Sequence, residues 1–329
     1  TKAHANKTRF RWRLCSAFTK TSPILSEGLA RFVKQVEQLS GGSLRIKAYG
    51  AGELVPAFGI FDAVKAAEIQ AGYTPSYYQL GKLPASIFFA SIPFGLDVDG
   101  FNSWIVSGGG QALWDEVLTE HGLQCVPGGN TNAQTAGWFN REIKSVADLK
   151  GLKMRIPGLP SKVLAKLGAS PVLLSGGEVY TSLATGVIDA CEWAGPYLDY
   201  QVGFQKIAKY YYTTGWHEPA TCLAFMFNNT ALQELPEELQ LLLHTCASEV
   251  DRWITCEFTA KGAEYLEKIK AEGKVKVQAL PAPVIQALKT TSQEVLQELI
   301  GNDPIARKVY DSYRSFQQQY ENYARMTAV

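Results

Sequence analysis

Hydrophobic residues in this chain switch period again and again, from alternate positions to every third or fourth and back, and no other property narrows its possible folds as much. Phe10, Trp12 and Leu14 alternate within Thr8 to Phe18 and predict a first strand. Ser22-Pro23 then supplies an N-cap and a first-turn proline. Leu25, Leu29, Phe32, Val36 and Leu39 follow at helical spacing, and Ser40-Gly41-Gly42 ends the helix. Leu44 to Tyr49 predicts a strand, Ala57 to Ala67 a helix, Ile69 to Tyr73 a strand, and Phe101 to His121 a helix broken at Gly108-Gly109-Gly110. Further on, strands are expected at Leu123 to Val126, Ala136 to Asn140, Leu152 to Ile156, Pro171 to Leu174 and Val187 to Cys191. Helices fall between them at Ser145, from Ser161 to Leu167 and from Glu178 to Thr185. Tyr210 to Tyr212, Leu223 to Phe227 and Val275 to Leu280 read as strands, Pro236 to about Ala271 as one long helix, and two helices close the chain. Such repetition builds α/β layers, and parallel sheet topology is expected, because a right-handed crossover returns each strand alongside the last.

A length of 329 residues exceeds one ordinary core and fits two lobes, and a 46% hydrophobic content is enough to fill both. No Gly/Ser or Pro-rich linker separates them, as expected when strands rather than a tether cross between lobes. With 32 basic against 31 acidic residues, counterion release has little to act on, so nucleic acid is excluded as a partner. The most apolar stretch, Ser86 to Leu96, is about half the roughly 20 residues a membrane-spanning helix needs, and Pro93 interrupts it. The chain opens at Thr1 without a signal-type apolar segment, so a processed or trimmed form is expected. Six cysteines without a C-x-x-C pair argue against zinc or a redox motif and for buried thiols.

The residues also lack a P-loop, a G-x-S-x-G elbow and an H-E-x-x-H helix, and Gly50-Ala51-Gly52 has no third glycine of a dinucleotide fingerprint. What remains is a set of misplaced polar groups. Arg155 sits in the strand ending Arg155-Ile156-Pro157, where its guanidinium must meet either an internal acid or a ligand carboxylate held by two parallel hydrogen bonds. Glu192 follows a strand, at the carboxyl end where open α/β sheets bind ligands. Asn130, Asn132 and Gln134 lie in a polar loop with amide oxygens suited to a ligand or a hard cation. Tyr77 and Tyr78 follow another strand end. His217, in Trp216-His217-Glu218-Pro219, places a titratable pair between two strands. Tyr310, Tyr313, Phe316, Tyr320 and Tyr323 form a stripe on the last helix, fit either for its own lobes or for a second subunit.

Taken together, these residues resemble the solute-binding proteins of tripartite ATP-independent periplasmic (TRAP) transporters, in the branch that takes 2-oxo and 2-hydroxy monocarboxylates. Ser145-Val146-Ala147-Asp148-Leu149-Lys150-Gly151-Leu152-Lys153-Met154-Arg155-Ile156-Pro157-Gly158 carries the likeness, with Val179 to Ala190 as a second block. Gly129-Asn130-Thr131, Gln134 and Glu192-Trp193 narrow it to the branch, and Ser22 to Leu39 and Gly50 to Leu54 fit the amino-terminal lobe. The resemblance implies a two-lobed periplasmic-binding-protein-like α/β fold with a cleft. Residues 1–133 with 229–329 would make one lobe and 134–228 the other. It implies Arg155 as carboxylate anchor, Asn130 and one of Tyr77 and Tyr78 as hydrogen-bonding partners, Trp193 as a cover, and Phe18 and His217 as further contacts. A sodium or calcium ion would be held by the Gln134 side chain, the Glu192 carboxylate and the Trp193 carbonyl. It also implies a homodimer through the terminal helix and delivery of a small carboxylate, such as pyruvate or lactate, to membrane permease subunits without conversion. A sensor subunit of the same fold, or a small-molecule enzyme using Glu192, His217 or Cys191, is the rival reading.

Overall fold

The computed structural model describes residues 10–327. Its strands are β1 (Phe10–Ser16), β2 (Leu44–Tyr49), β3 (Ala71–Pro75), β4 (Leu123–Asn130), β5 (Gly137–Phe139), β6 (Lys153–Arg155), β7 (Ser170–Val172), β8 (Ala190–Cys191), β9 (Tyr210–Tyr212), β10 (Cys222–Asn228) and β11 (Lys276–Gln278). They form two sheets, ordered β2-β1-β3-β10-β4 and β11-β9-β5-β8-β6-β7. Two compact units share the described residues, one of residues 10–75, 114–129 and 223–254, the other of residues 76–113, 130–222 and 255–327. The chain therefore passes from one to the other several times, and the long helix Glu237–Glu272 contributes residues to both.

Alternation and burial agree along β1, where Trp12 and Leu14 are buried and Arg11 and Arg13 are exposed. In the first unit β1 pairs in parallel with β2 and β3. Phe225 of β10 stacks on Phe32 at 4.0 Å and lies 4.9 Å from Tyr73, whose hydroxyl donates to the Gly128 carbonyl at 3.0 Å. The helix Leu25–Leu39 buries Leu25, Leu29, Phe32 and Val36, while Leu39 is left exposed past the last core turn. Its N-cap is Ile24 at φ 61°, with no side-chain cap, so the Ser22 cap read from the sequence does not form. Ser22 instead closes the preceding turn, accepting from Ser26 through its carbonyl.

Parallel topology holds only in part. β10 runs antiparallel to β3, and β5 runs antiparallel to both β8 and β9, so both sheets are mixed. The same two-residue period serves either direction, which is why the pattern could not separate them. In the second unit the core gathers Trp138, Val179, Leu183, Ile188, Phe204 and Tyr211. β8 is shorter than expected, since Val187 and Ile188 fall in the turn before it and Val187 is exposed. The final helix, Pro304–Thr327, turns most of its stripe onto its own unit. Tyr313 is buried and accepts from the Leu96 amide at 2.7 Å, Tyr310 lies 6.0 Å from Phe88, and Tyr320 donates to Asp97 at 2.8 Å. Only Tyr323 of the stripe is exposed. No disulfide joins the cysteines, of which Cys256 alone is exposed. Among the described residues no helix is long and apolar enough to cross a membrane.

Candidate functional site

β6 and β8 are parallel neighbours in register, Arg155 opposite Cys191, so their carboxyl ends stop level with one another. Arg155 is the last residue of β6 and Glu192 the first after β8, which brings their side chains together. Both are almost completely buried and form an ion pair through Nη1 and Oε1. Nη1 also donates to the Glu192 carbonyl and Nε to the Leu174 carbonyl, each at 3.2 Å. Of the two partners the strand position allows, the structure thus supplies the internal acid. Burial opposes the charge on Arg155, yet Glu192 and the neighbouring phenols outweigh it and hold the guanidinium pKa above its usual value.

The strand β5 passes close enough that a Cβ on Gly137, at φ 108°, would lie 2.1 Å from the Cys191 carbonyl. Only glycine permits that approach, and it sets the backbone from which Glu192 projects. Trp193 lays its ring over Arg155, 5.1 Å from the guanidinium carbon. The ring rests on Gly176, where a Cβ would come within 2.2 Å of it. Gly176 opens a helix capped by Ser175 and Glu178 in a reciprocal capping box, so the platform is locally built.

A polar loop supplies the other groups. Asn130 Oδ1 accepts from the main-chain amides of Asn132 at 2.9 Å and Thr221 at 3.0 Å, and its Nδ2 is buried without a partner. Gln134 is tied by its main-chain amide to the Glu218 carbonyl at 3.0 Å and by Nε2 to the Thr131 hydroxyl at 3.0 Å, leaving Oε1 buried and unpartnered. His217 is fully buried with neither ring nitrogen partnered, Nε2 lying 3.6 Å from Glu192 Oε2. Glu218, also buried, accepts from the Thr221 hydroxyl. Ligand atoms of Glu192, His217 and Glu218 all lie within 4.8 Å of one another. Burial first, and then the charge of Glu192, push the Glu218 pKa up to about 7.

Tyr78 is the tyrosine that hydrogen-bonds Arg155, and burial raises its pKa to about 12. Tyr77 meets Tyr78 edge to face at 5.3 Å, and both line a hollow of about 340 Å³ with Ile156, Pro157 and Ser161. Phe18 belongs to the first unit, where its ring meets Tyr73 edge-on at 6.0 Å. Arg155, Glu192, Trp193, Asn130, Gln134, Tyr77, Tyr78 and His217 all belong to the second unit. Sequence reasoning reads His217 and Glu218 as a titratable pair between two strands but names only His217 as a site residue.

Gln134 Oε1, buried without a partner, and the buried Glu192 carboxylate are oxygen donors of the kind a hard cation takes. Residues 15–302 match the description of the bacterial extracellular solute-binding proteins, family 7. The chain is similar to a monocarboxylate 2-oxoacid-binding periplasmic protein of Nostoc sp. strain PCC 7120, 37% identical over 325 residues, covering 95% of this chain and 89% of that protein. It is also similar to two crystallised TRAP periplasmic solute-binding proteins. One, from Pseudoalteromonas atlantica with bound sodium and pyruvate, is 39% identical with a TM-score of 0.93 and 97% coverage of both chains. The other, from Colwellia psychrerythraea with bound calcium and pyruvate, is 38% identical with a TM-score of 0.94 and the same 97% coverage of each.

Proposed function

The chain belongs to the bacterial extracellular solute-binding proteins of family 7, and from that premise we propose that it captures pyruvate or a close 2-oxo or 2-hydroxy monocarboxylate in the periplasm, together with a sodium or calcium ion. The ligand is handed unaltered to the membrane subunits of a TRAP transporter. The observation that carries the reading is the set of buried polar atoms without partners, on Asn130, Gln134 and His217, the last 3.6 Å from the Glu192 carboxylate that pairs with Arg155. Orphaned buried groups are costly, and a ligand with its ion satisfies them together.

In this reading Nη2 of Arg155, whose two N–H groups Leu174 and Glu192 do not use, takes the ligand carboxylate. Asn130 Nδ2 and the Tyr78 hydroxyl add hydrogen bonds, His217 faces the ligand, and Trp193 covers it. Gln134 Oε1, the Glu192 carboxylate and the Trp193 carbonyl would hold the ion, which supplies a positive centre for the ligand's carboxylate and 2-oxygen. The burial that raises the Cys191 thiol pKa far above its usual value keeps it protonated, which speaks against a cysteine nucleophile and for release without conversion. Tyr323 and Met326, exposed near the end of the last helix, are the apolar surface a homodimer would use.

A thermal-shift and calorimetric screen of pyruvate, lactate, longer 2-oxo acids and dicarboxylates tests the reading, run after chelation and again with sodium or calcium restored. A monocarboxylate should raise the melting temperature only when an ion is present. Turnover of the ligand at a rate proportional to protein, or no response to any monocarboxylate, refutes it.

A further inference from the structure

Asn130 and Asn132 stand two positions apart in one loop, and their side chains do different work. The Asn132 side chain turns to the long helix Glu237–Glu272, where Nδ2 donates to the Thr255 carbonyl at 3.0 Å and to the Thr259 hydroxyl at 2.6 Å. Both asparagines and both threonines belong to the second unit. With its two amide hydrogens engaged, Asn132 has no side-chain donor left for a ligand. Its backbone stands at φ 60°, in the left-handed region that asparagine adopts more readily than most residues. In that conformation its main-chain amide donates to Asn130 Oδ1 at 2.9 Å.

The Thr221 amide holds the same Asn130 oxygen from a second side, at 3.0 Å. An amide oxygen that accepts two hydrogen bonds has both lone pairs occupied, so the plane of the Asn130 side chain is fixed. Only Nδ2, buried without a partner, is left to meet something new. Resting on the reading above, in which Asn130 Nδ2 donates to the monocarboxylate, we propose that Asn132 is a positioning residue for ligand binding. Its clamp on the helix holds Asn130 as an obligate donor before the ligand arrives. A free side chain must give up rotamer freedom on binding, whereas a clamped one has already done so on folding. The clamp also selects what can sit there. Nδ2 suits a keto or carboxylate oxygen, and an Asn130 amide turned over would present Oδ1 and repel the same atoms.

The test is a calorimetric titration with pyruvate, sodium and calcium present, of the parent, Asn132→Gly, Asn130→Ala and the double variant. Glycine keeps the main-chain amide, tolerates the positive φ and removes the clamp. Asn132→Gly should weaken pyruvate binding roughly two- to tenfold. It should cause no further loss once Asn130→Ala has been made, because it acts through that side chain. A general loosening of the loop would instead weaken both backgrounds by the same factor. That result, or an unchanged affinity in Asn132→Gly, overturns the inference and leaves the functional reading standing. Thr259→Val, at an exposed position of the helix, removes one of the two acceptors and should give a loss of roughly two- to threefold with the same dependence on Asn130. It decides the matter if Asn132→Gly does not fold, and no loss then overturns the inference. If Asn130→Ala binds too weakly to titrate, a crystal structure of the unliganded clamp variant decides. Asn130 should occupy more than one rotamer there, and the single parental rotamer overturns the inference. A parent chain that binds no monocarboxylate defeats the functional reading, and this inference with it.

Discussion

Arg155 and Glu192 lie 37 residues apart in the chain, yet they end adjacent parallel strands at the same level and form a buried ion pair. Such a pair is asymmetric in its energetics. Forming it contributes little, because desolvation offsets attraction, whereas removing one partner leaves the other charge buried alone.

Arg155→Ala is therefore expected to abolish the ligand-dependent rise in melting temperature and also to destabilise the unliganded protein by about 3–5 kcal/mol. Adding Glu192→Gln to it should recover part of that loss. Denaturant titration of the two single variants and the double variant measures the coupling, and purely additive losses would contradict the pairing.

Gly176→Ala places a methyl group where the Trp193 ring rests. The fold should survive with a loss of about 1–3 kcal/mol, because the ring can tilt away, but ligand affinity should fall with it. Tryptophan fluorescence on ligand addition and calorimetry report the two effects. Unchanged affinity would show that Trp193 does not cover the ligand.

Asp199 lies under the second unit's core, accepting from Trp138 Nε1 at 2.8 Å and from the amides of Ala194 and Gly195, each at 3.0 Å. Burial outweighs these bonds and raises its pKa from 3.8 to about 7. The folded state then holds a proton that the unfolded chain has released, so Asp199's contribution is complete below about pH 4 and is lost as pH rises towards 7. Comparing urea denaturation of the parent and Asp199→Asn across this range should show the parent losing stability more steeply with rising pH. Parallel slopes would place the Asp199 pKa near that of an exposed carboxylate.

Tyr313→Phe removes the acceptor of the buried Leu96 amide and should cost about 1–3 kcal/mol. Size-exclusion chromatography should show the same oligomeric state as the parent, since this hydroxyl acts inside one chain. A change of state with no loss of stability would mean the stripe serves a second subunit instead.

Much of the fold was legible because hydrophobic period is a local property. Leu44–Tyr49 forms as its alternation predicts, and Ser145 and Asp148 close the capping box that starts the turn before β6. Strand direction was not legible, since β5 and β6 carry the same kind of pattern and run opposite ways against β8. Nor was the cap at Ile24, a residue at positive φ in a tight turn closed by the Leu25 amide on the Pro23 carbonyl.

The site divides along the same line. From sequence came an arginine at a strand's carboxyl end, an acid after another strand and amides in a polar loop, because each is visible in its own few neighbours. Tertiary structure alone decided that Arg155 meets Glu192, that Tyr78 rather than Tyr77 hydrogen-bonds the guanidinium, and that Glu218 joins His217 beside the same acid. Those contacts follow from strand order and the close approaches permitted at Gly137 and Gly176, which are set by packing between distant segments and leave no local periodic trace.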